Sequence, residues 1–284
     1  MIRPYLQLVR IPGIFTAFTN VLLGFFVVQA NASWETLVPL LLASGFLYLG
    51  GMTLNDYFDF KTDLKNRSFR PIPSGKISKE SALLIGISFL TVANAFSVFG
   101  GTQSLIISLA MTVVILSYNV KVKTIPIVGI FCLSSIRFLN VLLGASIVQL
   151  DFKVAILAVP VAIFVGAISV LAKTEDSAEC KKAVSYNIIL ISITLVFITL
   201  ISANTAKYEY FIFIFLFAVA TLLPYVAYKN KTQFRIQKIV TYQLLAIIIL
   251  DATLLAAFST ISYALVAILL YIPAYFLMRI SYLT

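Results

Sequence analysis

The chain has 284 residues, 61% of them hydrophobic and only 11% charged, with a net charge of +10 and a mean hydropathy of +1.03, whereas a soluble domain carries charge on about 25% of its residues. This composition excludes a soluble globular enzyme and indicates a polytopic membrane protein. The absence of histidine removes His-ligated zinc, His-ligated haem and every triad with an imidazole base.

In chain order, apolar runs of about 20 residues, the length that spans a hydrocarbon core, fall at 11–30, 36–54, 81–99, 102–118, 125–148, 154–172, 184–202, 208–227, 239–258 and 259–278. The first ends in Ala30-Asn31-Ala32, which imitates a signal-peptide cleavage site, but the run is long enough to span and is read as a retained helix. The last two runs adjoin without a polar gap, so nine spans with one long, broken or re-entrant segment is the alternative to ten. The expected fold is an all-α transmembrane bundle of nine to ten spans, two four-helix halves plus C-terminal helices, in a single domain over 1–284. Cys132 lies in an apolar run and Cys180 in a polar loop, which makes neither a disulfide framework nor a metal cluster.

With the N-terminus cytoplasmic, eighteen Lys and Arg fall on that side, only Lys153 and Lys207 on the other, and Arg137 inside a span. The positive-inside rule thus accounts for the net charge without nucleic acid. Acids are not placed by that rule, yet six of the eleven sit at two points: Asp56, Asp59 and Asp63 after the second run, and Glu175, Asp176 and Glu179 after the sixth. Asn55 and Glu175 stand 120 residues and four spans apart, which returns the chain to the same face and predicts an internal repeat.

Positions 55–63 read Asn-Asp-x-x-Asp-x-x-x-Asp. If the second helix continues past the membrane edge, these spacings put all three carboxylates on one face. A structural helix avoids such repulsion, whereas a hard cation such as Mg²⁺ requires carboxylate oxygens and often bridges them to substrate phosphates. Downstream, Arg70-Pro71-Ile72-Pro73-Ser74-Gly75 reads as a rigid loop that holds Arg70 over the acids, with Arg67 beside it as a second phosphate contact. Lys76 and Lys79 read as ordinary interface charges. Glu175 and Glu179, at i and i+4, form a second half-site for metal. Tyr118 and Asn119, at the end of the fourth run, are pocket-rim residues. Opposed acidic clusters at the mouth of an apolar bundle match an isoprenoid diphosphate, with its head at the surface and its tail among the helices.

These residues carry a family resemblance. Asn55-Asp56-Tyr57-Phe58-Asp59-Phe60-Lys61-Thr62-Asp63 followed by Arg70-Pro71-Ile72-Pro73-Ser74-Gly75 resembles the UbiA superfamily of intramembrane prenyltransferases, and the likeness extends over nearly the whole chain. The resemblance implies that Asn55, Asp56, Asp59 and Asp63 bind Mg²⁺ and diphosphate in one half, and Glu175 and Glu179 in the other. It also implies Arg67, Arg70, Lys121 and Lys123 as diphosphate contacts and Asp176 as an additional acid at the substrate. The second motif departs from the family pattern by using Glu in place of Asp, and the fifth run, Arg137-Phe138-Leu139-Asn140-Val141-Leu142-Leu143-Gly144-Ala145, resembles the EboC-type branch. The implied reaction is Mg²⁺-dependent transfer of a prenyl group to a lipophilic or aromatic acceptor. Relatives use aromatic acids, naphthoquinone precursors, porphyrin-derived rings, glycerol-phosphate ether lipids and sugar phosphates, and no motif here selects among them.

Intramembrane ionisable residues are functional candidates by default. Arg137 and Asn140 are assigned to substrate recognition; pairing of Arg137 with Asp251 as a structural salt bridge is the alternative. Two other functions remain in play, a secondary transporter and a non-catalytic prenyl-lipid-binding relative. Transporter sites lie near the midplane, whereas here the acids gather at the membrane edge.

Overall fold

The computed structural model describes residues 2–28, 34–173, 180–205, 207–228 and 233–278. Its helices are α1 (Ile2–Leu8), α2 (Ile14–Val28), α3 (Trp34–Phe58), α4 (Phe60–Asn66), α5 (Lys79–Ser97), α6 (Thr102–Val120), α7 (Pro126–Ala145), α8 (Phe152–Lys173), α9 (Cys180–Ser202), α10 (Tyr208–Ala227), α11 (Gln233–Phe258), α12 (Ile261–Leu269) and α13 (Tyr271–Leu277). Among the described residues nine helices are long and apolar enough to cross a membrane. The molecule is an all-helical, multi-pass membrane protein.

The last apolar run, 259–278, follows the nine as a shorter apolar segment, Ile261–Leu277, which runs back along α2 from Phe26, stacked on Tyr263, to Phe15, beside Ala274 and Met278, in keeping with the expected nine to ten spans. It folds as the short pair α12 and α13, broken at Leu270. Pro273 sits in the first turn of α13, where its ring clashes with the carbonyl four residues back and its missing N–H leaves that carbonyl without a helical donor. At the other end Thr260 is extended, at φ −128 and ψ 152, which separates α12 from α11.

Helix α2 packs on α3, α7 and α11, α3 on α5 and α6, and α7 on α6 and α8, while α9 and α10 lie outside against α8 and α11. The repeat expected from the acids is written most plainly in α2 and α7. Residues 20–24 and 140–144 both read Asn-Val-Leu-Leu-Gly. The two copies cross reciprocally: a methyl on Gly24 would overlap the Val141 carbonyl oxygen, and one on Gly144 would overlap that of Val21. Small residues that let backbones meet are a standard means of helix association in lipid, where burial alone offers little driving force.

At the acidic end, Leu8 of α1 packs with Ile72, Ile77 and Ala82 under Phe60. This small cluster clamps the loop 71–77. Lys76 N and Ile77 N both donate to the Pro71 carbonyl, and Gly75 N to that of Ile72. Gly75 takes φ +71, a backbone region open to glycine at little steric cost. The rigid loop expected from its prolines is present.

Candidate active site

The acidic segment continues helix α3 with a slight break. Asp59 is a turn residue between α3 and α4, yet Asp59 N donates to Asn55 O, Asp63 N to Asp59 O and Arg67 N to Asp63 O, at 2.9, 2.8 and 2.8 Å. The i to i−4 ladder therefore passes through Asp59 and Asp63 and continues the helix that carries Asp56. Asp56 and Asp63 are buried, and Arg70 lies between them, with Nη1 at 3.3 Å from Asp56 Oδ1 and 2.8 Å from Asp63 Oδ2. Arg10 Nη2 reaches the same Asp56 oxygen at 2.9 Å. Lys123 Nζ holds Asp59 Oδ1 at 2.6 Å and donates to Asn55 Oδ1 at 3.4 Å. Burial pushes the Asp63 carboxyl above the usual carboxylate range; Arg70 beside it pulls it partway back, and the charges of Asp56 and Asp59 add to the rise.

Beneath these groups opens a cavity of about 350 Å³ walled by α2, α3, α6, α7, α8 and α11. Its mouth is edged by Arg10, Asn55, Asp59, Arg67, Arg70 and Lys173, its middle is apolar, with Leu47, Met111, Ile115 and Ile247 on the wall, and its inner part meets Arg137 and Asn140. Lys173 Nζ is turned to this end by donating to the Pro126 carbonyl at 2.8 Å. Asn119 donates to the Gly51 carbonyl at 3.2 Å.

The inner wall holds a polar network. Arg137 Nη2 donates to Thr16 Oγ1 at 2.9 Å and Nη1 to Asn20 Oδ1 at 3.2 Å. Asn20 Nδ2 donates in turn to Asp251 Oδ2 at 2.7 Å, as does Thr19 Oγ1 at 2.5 Å. The Arg137 guanidinium also lies 5.9 Å from the centre of the Tyr48 ring, and the Tyr48 hydroxyl donates to the Arg10 carbonyl at 3.2 Å. Asn140 is committed differently: its amide donates to the Ala17 carbonyl at 2.9 Å and accepts from Ser44 Oγ at 2.8 Å.

Most residues singled out in the sequence come together here. Asn55, Asp59, Arg67, Arg70, Tyr118, Asn119, Arg137 and Asn140 line the cavity, with Asp56 and Asp63 behind Arg70. Lys121 is exposed and stands outside the cavity wall, because the turn that brings Lys123 to Asp59 points its neighbour away. Glu175, Asp176 and Glu179 lie outside the described residues. The alternative of a direct Arg137–Asp251 salt bridge is replaced by a relay through Asn20. Sequence reasoning passed over Arg10 and Lys173, which it counted only as orientation charges, and over Thr16, Thr19 and Asn20, whose i, i+3, i+4 spacing in an apolar run was the available signal.

Among the described residues no three acids converge as a ready metal site, because each carboxylate already faces a cation. The donor chemistry nevertheless fits a hard cation: all oxygen, with Asp56 Oδ2 and Asn119 Oδ1 buried and without a hydrogen-bond partner.

Residues 17–235 match the model of the UbiA prenyltransferase family. The chain belongs to that family. Curated relatives include the digeranylgeranylglyceryl phosphate synthase of Saccharolobus solfataricus, 29% identical over 147 residues, which are 50% of this chain and 51% of the relative. The enzyme of the same name from Methanopyrus kandleri is 29% identical over 52% of this chain and 54% of its own. The chain thus spans about half the length of the curated relatives it matches. Solved structures that share the fold include two UbiA homologs. A UbiA homolog from Archaeoglobus fulgidus bound to GPP and Mg²⁺ matches with a TM-score of 0.66 at 18% identity, covering 88% of this chain and 99% of that one. The apo UbiA homolog from Aeropyrum pernix K1 matches with a TM-score of 0.70 at 15% identity, over 86% and 97%.

Proposed function

We propose that this UbiA-family protein transfers a prenyl group from an isoprenoid diphosphate to an acceptor inside the membrane and releases diphosphate. The observation that carries this reading is the cavity itself: four cations and an acidic helix at its mouth, apolar walls behind them. Arg10, Arg67, Arg70 and Lys173 edge the mouth and, with Lys123, receive the diphosphate oxygens, Arg10, Arg70 and Lys123 exchanging their carboxylate partners for the ligand. The oxygens of Asn55, Asp56, Asp59 and Asp63 would hold Mg²⁺ in this half, and Glu175 and Glu179 would supply the other, with Asp176 at the substrate. Mg²⁺ bound there would offset the negative charge that grows on a departing diphosphate. The apolar walls exclude water, which would otherwise quench the allylic cation.

The acceptor approaches from the inner side, where Arg137 keeps N–H groups beyond the two bonded to Thr16 and Asn20 and so recognises an anionic group; Asn140, Tyr118 and Asn119 shape the wall around it. The matched relatives are named for a glyceryl phosphate product, and an acceptor of glycerol-phosphate type suits a guanidinium at this depth better than a neutral ring. The positive-inside count supports a mouth on the cytoplasmic side.

The test uses membrane vesicles, radiolabelled geranylgeranyl diphosphate, Mg²⁺ and a lipid extract as acceptor pool. A labelled lipid is expected, lost on EDTA treatment and restored by Mg²⁺, and reduced roughly hundredfold or more in Asp56→Ala and Asp59→Ala vesicles. Product formation that survives EDTA and both substitutions would refute the assignment, and solute counterflow with no labelled lipid would make the protein a transporter.

A further inference from the structure

Arg10 is the one non-glycine residue with positive φ among the described residues, at φ 48 and ψ 54. The left-handed region is sterically disfavoured for a residue with a Cβ, so its occupation must be enforced by surrounding contacts. Arg10 N donates to the Gln7 carbonyl at 3.2 Å, and two contacts hold the Arg10 carbonyl. Gly13 N closes the turn onto the Arg10 carbonyl at 3.0 Å, and the Tyr48 hydroxyl donates to the same carbonyl at 3.2 Å. The hydroxyl reaches that oxygen because residue 13 has no side chain: a methyl there would overlap the Tyr48 oxygen. From this turn the Arg10 guanidinium extends to Asp56 at 2.9 Å and to the cavity mouth.

We propose that Tyr48 is a positioning residue for the diphosphate end of the site. Its hydroxyl, seated in the space left by Gly13, holds the left-handed turn that aims Arg10 at Asp56 and at the incoming anion. The inference rests on the proposed function in one respect, that Arg10 receives a diphosphate. Tyr48 and Asp56 lie on the same helix eight residues apart, a rise of about 12 Å, so the hydroxyl acts on the mouth through Arg10 and not by contact with a ligand there. Its ring, facing Arg137, is a separate contact that loss of the hydroxyl leaves in place.

Two substitutions remove the hydroxyl contact by unrelated routes. Tyr48→Phe deletes the oxygen and keeps the ring; Gly13→Ala displaces the oxygen and keeps it. Full-length protein in detergent, normalised to the folded fraction by gel filtration, is titrated with radiolabelled geranylgeranyl diphosphate in the presence of Mg²⁺. Each variant is expected to bind about three- to tenfold more weakly than wild type, the effect of one hydrogen bond. The double variant is expected to be no weaker than the worse single, because both act on one contact. In an Arg10→Ala background Tyr48→Phe should have no further effect, a coupling that general loosening of the fold would not produce. If wild type binds while both single variants bind as wild type does, or if their losses persist undiminished in the Arg10→Ala background, the positioning role is wrong and the proposed function stands. A wild type that retains no diphosphate overturns both.

Discussion

The two ends of the cavity pair acids with arginines in different ways. At the mouth the groups touch: Arg10 on Asp56, and Arg70 on Asp56 and Asp63, at 2.8–3.3 Å. At the inner end a neutral amide stands between Arg137 and Asp251, with Asn20 accepting from one and donating to the other. In a low-dielectric interior the attraction between opposite charges remains strong over the extra distance, so the relay neutralises Arg137 without occupying its whole donor fork. Direct pairs at the mouth suit groups that exchange one anionic partner for another. The relay suits a cation that must keep a fixed direction in the membrane.

The largest contrast is expected between Asp251→Ala and Asp59→Ala. Asp251 is fully buried, and its loss strands Arg137 and the Asn20 amide, costing about 3–5 kcal/mol of stability. The Asp59 side chain is 29% exposed, so losing its bond to Lys123 should cost no more than about 1 kcal/mol while reducing transfer roughly hundredfold or more. Thermal unfolding in detergent separates the two; equal losses of melting temperature would erase the distinction between the ends. An intermediate effect is expected from Gly24→Ala and Gly144→Ala, where a methyl meets rigid backbone, at about 1–3 kcal/mol each. Because Gly24 lies one turn from Asn20, either change should weaken acceptor affinity more than diphosphate affinity, and the reverse order in a KM comparison would place the disturbance at the wrong end. The smallest effects concern the 121–123 turn. Lys123→Ala should weaken diphosphate binding by about two- to fivefold, whereas Lys121→Ala, exposed and off the wall, should leave it unchanged in the same binding assay.

Much of the mouth was legible in sequence because its signal is local. Acids spaced by three and four need only a continuing helix to align, and a Pro-rich loop ending in glycine needs only its own dihedral limits to hold Arg70. Arg10 was illegible for the opposite reason: its direction depends on a left-handed turn stabilised by a tyrosine 38 residues away. Asn20 was hidden by being neutral, since charge-based searches of a span find Arg137 and Asp251 and overlook the amide joining them. The last apolar run stayed open between a tenth span and a broken segment because mean hydropathy has no term for the helix break at Pro273. The repeated Asn-Val-Leu-Leu-Gly is fully visible in the sequence, but that its glycines face each other's backbones is a property of the crossing alone.

That crossing also closes one side of the helical wall. With Gly24 and Gly144 each seated against the opposite backbone, no gap wide enough for an acyl or prenyl chain exists between α2 and α7 at this level, and the two helices can part only if both contacts fail together. The seam is a fixed edge between α2 and α7, and a hydrophobic product of the proposed reaction would have to leave sideways between other helices.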